Sequence, residues 1–302
     1  MINYDCEHYL QENIDLYDEM YAPFEVCTYK DREVINDIRN AIENLSLANY
    51  SFSTFSLGLS DLDYCVLDKL SIREYNTTTN YADLSSLIGD TTSFIKLLAL
   101  DSENDIIANY ISKLATRIVN NIIDASDYLQ AWSYIRSDVD PNGFGRYGEY
   151  NFLTDNDDAP DWHIDKSFEE MIYPNAVPTK DQLTFIFTLK GNSTLFHAAS
   201  DEIQRSFLNS AIDLDIVYGT DRKFNTTAQN LFDISDAYSA KVGEGTVHVA
   251  GKAHGTIHTA PNHHERLVAI VVPETKENIE GYRHFIKKMN EKWMQEFIQD
   301  DK

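Results

Sequence analysis

Thr246-Val247-His248-Val249, Gly255-Thr256-Ile257-His258-Thr259 and Leu267-Val268-Ala269-Ile270-Val271-Val272 follow one another closely in the chain. Each is a short run rich in β-formers and set off by turn-forming residues, which is the pattern of a strand. Leu183 to Leu189, Ser193 to His197 and Leu214 to Tyr218 share that texture upstream. Short strands divided by turns point to a sandwich or jelly roll rather than a parallel sheet. The texture begins after Tyr134, where Pro141-Asn142-Gly143 and Gly145 break any helix.

The chain on either side of this region reads as helix. Val34, Ile38, Ile42 and Leu45 recur at helical spacing, as do Ile107, Ile111, Leu114, Ile118 and Ile122, so each set makes one apolar stripe. Asp90 or Thr91 is placed to cap a further helix through Phe94, Ile95, Leu97 and Leu98, and Asn76 to Asn80 reads as a polar loop. Near the end, Phe285, Met289, Trp293 and Phe297 repeat every four residues and predict a helix packed on the body. The expected organisation is a helical region over 1–135, a β core over 136–275 and a C-terminal helix over 276–302.

Composition narrows the function. Of 302 residues, 43% are apolar and 12% aromatic, enough for a folded core. The formal net charge of −24 repels phosphate backbones and argues against nucleic acid as a partner. Cys6, Cys27 and Cys65 lack CxxC spacing and read as reduced thiols, so a cytoplasmic location is expected. Met1 to Leu10 lacks the basic start and apolar core of a signal peptide, and no apolar run approaches the ~20 residues needed to span a bilayer.

The chemistry is concentrated in two segments. In Pro160-Asp161-Trp162-His163-Ile164-Asp165, an extended backbone turns His163 and Asp165 to one face, where both can reach one metal ion, and Trp162 to the other. The second segment runs from Gly243 to Arg266 and carries His248, His254, His258, His263 and His264. One of these histidines folding back beside His163 and Asp165 makes a two-histidine, one-carboxylate set with open coordination positions, which suits iron redox chemistry. The spacing alone is weak, because His263-x-Glu265 repeats it. Taken singly, His163 can be satisfied by Asp165 without metal, His258 can belong to a His-rich turn, and Arg266 can pair with an acid such as Glu265.

Together these residues resemble the Fe(II)- and 2-oxoglutarate-dependent dioxygenase superfamily over about 150–273. The shared pattern is His163-x-Asp165, then His258-Thr259-Ala260-Pro261, then Arg266 ahead of an apolar strand. The resemblance implies an α+β fold with a double-stranded β-helix (jelly-roll, cupin-like) core. It implies His163, Asp165 and His258 as catalytic iron ligands, with His254 the alternative to His258. Arg266 is then the residue that binds the distal carboxylate of the co-substrate 2-oxoglutarate, a task its planar fork suits. Arg266 follows His258 by eight residues, closer than the family usually shows, and Val268 stands where some members have serine.

The implied reaction consumes 2-oxoglutarate and dioxygen, releases succinate and carbon dioxide, and oxidises a small molecule or amino-acid side chain, most often by hydroxylation. Asp165 argues against halogenation, because halogenating relatives have a small residue there. Thr184, Tyr147 and Tyr150 are possible partners of the co-substrate, His197 a structural or cavity residue, and Arg136 and Arg146 possible contacts for an anionic substrate. Two rival readings remain: a cupin-like metalloenzyme that does not use 2-oxoglutarate, and an acidic interaction protein without catalysis. No Gly-x-Ser-x-Gly elbow, P-loop or HExxH helix offers another chemistry.

Overall fold

The computed structural model describes residues 29–48, 52–69, 105–139, 162–173, 180–198, 202–203, 206–207, 236–251, 255–259 and 265–300. The region from 76 to 98 and the expected strand at 214–218 lie outside them. In chain order the helices are α1 (Tyr29–Ala48), α2 (Asp61–Lys69), α3 (Asp105–Ala125), α4 (Phe168–Ile172) and α5 (Lys276–Asp300). The strands are β1 (Phe52–Ser56), β2 (Ala131–Val139), β3 (Gln182–Lys190), β4 (Leu195–Phe196), β5 (Tyr238–Ser239), β6 (Glu244–Ala250), β7 (His258–Thr259) and β8 (Glu265–Pro273).

They form a five-stranded sheet ordered β1-β6-β3-β8-β2 and a three-stranded sheet ordered β5-β4-β7, with antiparallel pairing throughout. Among the described residues the sheets do not close into a barrel. The architecture is therefore mixed, with helices against antiparallel sheet.

Alternation along the strands gives the large sheet two unlike faces. Phe185, Phe187 and Leu189 of β3, Val247 of β6 and Leu267, Ala269 and Val271 of β8 share one apolar core with Val34, Ile38 and Leu45 of α1 and Ile111, Leu114, Ile118 and Ile122 of α3. The described members of both predicted helical stripes are thus partnered by this face. Each fully buried Leu, Ile or Phe contributes about 1.5–3 kcal/mol, so the helical layer is a main source of stability. The residues between them point the other way, and Gln182, Thr184, Thr188, Thr246, His248 and Arg266 are buried there despite being polar. A sheet face that is at once buried and polar is the unusual feature of this fold, because such groups are costly to bury without a purpose.

Two local features secure the scaffold. Asp63 of α2 is fully buried and accepts hydrogen bonds from the Tyr110 hydroxyl at 2.9 Å and from Arg117 Nη2 at 3.3 Å, joining α2 to α3. α5 packs Ile279 and Tyr282 against Trp132, Phe168 and Val272, with the Tyr282 and Phe168 rings stacked at 4.0 Å.

The structure adds strands that periodicity did not reveal. β1 lies within the region read as helical, yet it forms the edge of the large sheet beside β6. β2 begins at Ala131, ahead of the expected change in texture, and pairs with β8 along its whole length.

β1 also explains Gly245. A methyl group on its Cα would stand 2.4 Å from Cζ of the buried Phe55 ring, its partner across the strands. Gly245→Ala is expected to lower stability by about 1–3 kcal/mol, the usual cost of overpacking a core. Urea unfolding of the two proteins measures it.

Candidate metal centre

The chain segment before α4 carries the first two site residues. Trp162 and Ile164 are buried with Phe207 and Ile257, while His163 and Asp165 face the opposite way and keep 41% and 38% of their side-chain surface exposed. This is the alternation expected of an extended segment. Its continuation is fixed by Ser167, which caps α4 in a reciprocal capping box with Glu170, and by the Phe168 amide, which donates to Gln182 Oε1 at 2.7 Å. The Gly251 amide donates to the Asp165 carbonyl at 2.8 Å from a backbone with φ of 124°, a conformation only glycine adopts readily.

His258 arrives from β7. It forms an isolated antiparallel bridge with His163, in which each amide donates to the other's carbonyl at 2.9 Å. Residues directly opposite in such a pair present their side chains on the same face. The two imidazoles accordingly lie 4.4 Å apart between centroids. Asp165 completes the group: its Oδ1 is 4.0 Å from His163 Nε2 and its Oδ2 is 3.4 Å from His258 Nε2. One ligand-capable atom from each of the three residues lies within 4.8 Å of the others.

The donor set fits a divalent metal ion. His258 Nδ1–H donates to the Thr256 carbonyl at 2.9 Å, so when the ring is neutral its proton sits on Nδ1 and Nε2 is the nitrogen left to ligate. Burial by itself pushes the Asp165 carboxyl up, but the imidazoles of His258, His248 and His163 outweigh it and hold the group well below the ordinary carboxylate value. The carboxylate is therefore anionic, as ligation requires.

Sequence reading gave no special place to His248, which it left among the companions in a His-rich turn. It lies in β6, fully buried, with Nε2 3.8 Å from Asp165 Oδ2 and its ring 4.9 Å from that of His258. The signal available was its place in the alternating run Thr246 to Ala250, on the face opposite Val247. Burial, reinforced by the neighbouring His258 and His163, lowers its pKa to about 4.

A pH dependence follows for the metal-free protein. The unfolded chain binds this proton near pH 6.5 and the folded chain only near 4, so stability present above pH 6.5 is lost as pH falls through that window. The loss is about 3 kcal/mol from this residue. Urea unfolding at pH 7 and pH 4.5 measures it, and His248→Phe is expected to flatten the profile.

Arg266, on the same inner face of the large sheet, is almost wholly buried and donates from Nη1 to Thr194 Oγ1 at 3.4 Å. Thr184 is buried across from His248 in β3. His197 lies with the Trp162 side, its ring packed edge-on to that indole at 6.0 Å, and so stands away from the three clustered residues. His254, His263, His264, Arg146, Tyr147 and Tyr150 lie outside the described residues, as does the Arg136 side chain.

No helix among the described residues is long and apolar enough to cross a membrane. No protein-family model matches the chain, and a search of curated proteins finds no match. Among solved structures the chain is similar to the crystal structure of the Kdo hydroxylase KdoO, described as a non-heme Fe(II) alphaketoglutarate-dependent dioxygenase in complex with cobalt(II). The two are 13% identical, with 87% of this chain and 91% of that chain covered and a TM-score of 0.36. A superposition that loose does not establish a common fold.

Proposed function

We propose that this chain is a mononuclear non-haem Fe(II) enzyme that uses 2-oxoglutarate and dioxygen to oxidise a small molecule or amino-acid side chain. The observation that carries the reading is the convergence of His163, Asp165 and His258 at the margin of a buried polar sheet face. Two imidazoles and one carboxylate from one side leave coordination positions free for other ligands. In this reading the two antiparallel sheets belong to a double-stranded β-helix centred on 136–275, to which Phe52–Ser56 and the start of β2 at Ala131 add strands from the N-terminal side, with the helices α1, α3 and α5 packed around it.

His163 Nε2, His258 Nε2 and a carboxylate oxygen of Asp165 would hold the ion. Bound iron supplies one-electron chemistry toward dioxygen. Thr256 keeps the His258 tautomer correct through its carbonyl. Arg266 binds the distal carboxylate of 2-oxoglutarate by parallel N–H donors, with Thr194 holding one edge of the guanidinium. Burial strengthens that pairing, because water does not compete for the fork.

The test is anaerobic titration of metal-free protein with Fe(II), followed by 2-oxoglutarate and then oxygen, with succinate measured. Stoichiometric iron binding and succinate formed only with Fe(II), 2-oxoglutarate and oxygen together are expected. Iron binding without 2-oxoglutarate consumption would favour a metalloenzyme of another kind, and failure to bind iron would remove the proposal.

A further inference from the structure

His248 sits in the interior at a cost that its packing does not explain. It is fully buried, and neither ring nitrogen has a hydrogen-bond partner among the described residues. A buried polar group left in that state costs about 1–3 kcal/mol. Its surroundings suit an apolar side chain, with the Phe196 ring 5.3 Å away and Phe52 opposite on β1. Its Nε2 approaches Asp165 Oδ2 at 3.8 Å, roughly a few tenths of an ångström beyond hydrogen-bond range.

The arrangement around Asp165 is divided. Oδ1 is turned toward His163, and Oδ2 lies between His258 and His248. His248 is not part of the group whose ligand atoms lie mutually within 4.8 Å. It is therefore not one of the three mutually close donors, although its Nε2 lies 3.8 Å from Asp165 Oδ2.

We propose that His248 is a positioning residue for the metal centre, its Nε2–H reserved for one oxygen of Asp165 so that the carboxylate offers only the other to the ion. The inference rests on the reading of His163, Asp165 and His258 as ligands. A carboxylate bound through both oxygens takes an extra coordination position, whereas one tied back by a hydrogen bond leaves it free for a co-substrate. The orphaned imidazole thus gains its partner when the carboxylate settles onto metal.

Anaerobic titration with Co(II) alone, followed by d–d absorption, tests this in wild type, His248→Phe, His248→Leu and His248→Gln, with melting of each metal-free protein alongside. Neither Phe nor Leu can donate, and either one carries the test if the other fails to fold. Their Co(II) affinity is expected to fall about 10–100-fold, the usual effect of losing a partner that orients a ligand. Their metal-free forms should melt no lower than wild type, because an unsatisfied polar group has been removed. His248→Gln, which keeps an N–H at similar reach, should recover part of the affinity.

Unchanged affinity in the Phe and Leu variants would overturn the assignment while leaving the metal centre intact. A d–d spectrum showing that coordination number drops with His248 would overturn it in favour of direct ligation. Absence of Co(II) binding by wild type would remove the metal centre itself.

Discussion

Replacing Asp165 with alanine is expected to lower divalent-metal affinity by about a hundredfold or more, because losing a mere ligand-orienting partner already costs about 10–100-fold and here a ligand itself is removed. The proposed donor set has a single anionic member, and three imidazoles face it: His258, His163 and His248. Without it the ion has two neutral donors and no local compensation for its charge. Asp165→Asn separates charge from shape, since it keeps the side-chain outline and removes the anion. Both variants should fail to form succinate at Fe(II) concentrations that saturate the wild type. Isothermal titration with Fe(II) under argon reads the affinity directly. Wild-type affinity in both variants would show that the metal is held elsewhere.

The second large effect is expected at Arg266. This guanidinium is among the largest fully buried side chains and contacts Thr194 through Nη1. If its fork binds 2-oxoglutarate, Arg266→Met leaves the distal carboxylate buried without its cation, costing about 3–5 kcal/mol, or roughly a hundred- to a few-thousandfold in co-substrate affinity. Arg266→Lys retains charge but not the planar fork and should fall between the two. Fe(II) binding should be nearly unchanged in both, because Arg266 is not a ligand. An Arg266→Met protein that folds, binds iron and keeps the wild-type KM for 2-oxoglutarate would assign the residue to structure alone. Circular dichroism of the metal-free forms separates a folding defect from a binding one.

The two predictions bear on different elements. Asp165 belongs to the segment leading into α4, whereas Arg266 lies in β8, on the sheet face that also carries Thr188 and His248. Loss of iron in one variant and of 2-oxoglutarate in the other would resolve the proposed site into its two parts.

Local periodicity determined a good part of this protein. The four-residue spacing of Val34, Ile38 and Ile42 and of Ile107 to Ile122 marks α1 and α3, because a helix returns to one face every three to four residues. The two-residue spacing of His163 and Asp165 put both on one side of an extended backbone, with Trp162 and Ile164 buried on the other. These features follow from the stereochemistry of a few consecutive residues and need no knowledge of the partner.

What pairs with what lay beyond that range. His258 and His163 become neighbours through a bridge between segments far apart in the chain, and the sequence favours His258 over His254 only through its resemblance to a family pattern with Pro261, not through any contact it could read. Phe52 to Ser56 joins the sheet because β6 offers it an edge, a tertiary choice made inside a region whose periodicity reads as helical. His248 resembled its neighbours in a His-rich stretch until the register of β6 against β3 turned it inward, toward Asp165. Strand register and sheet order depend on long-range burial, so only the folded chain decides which of several similar side chains meet.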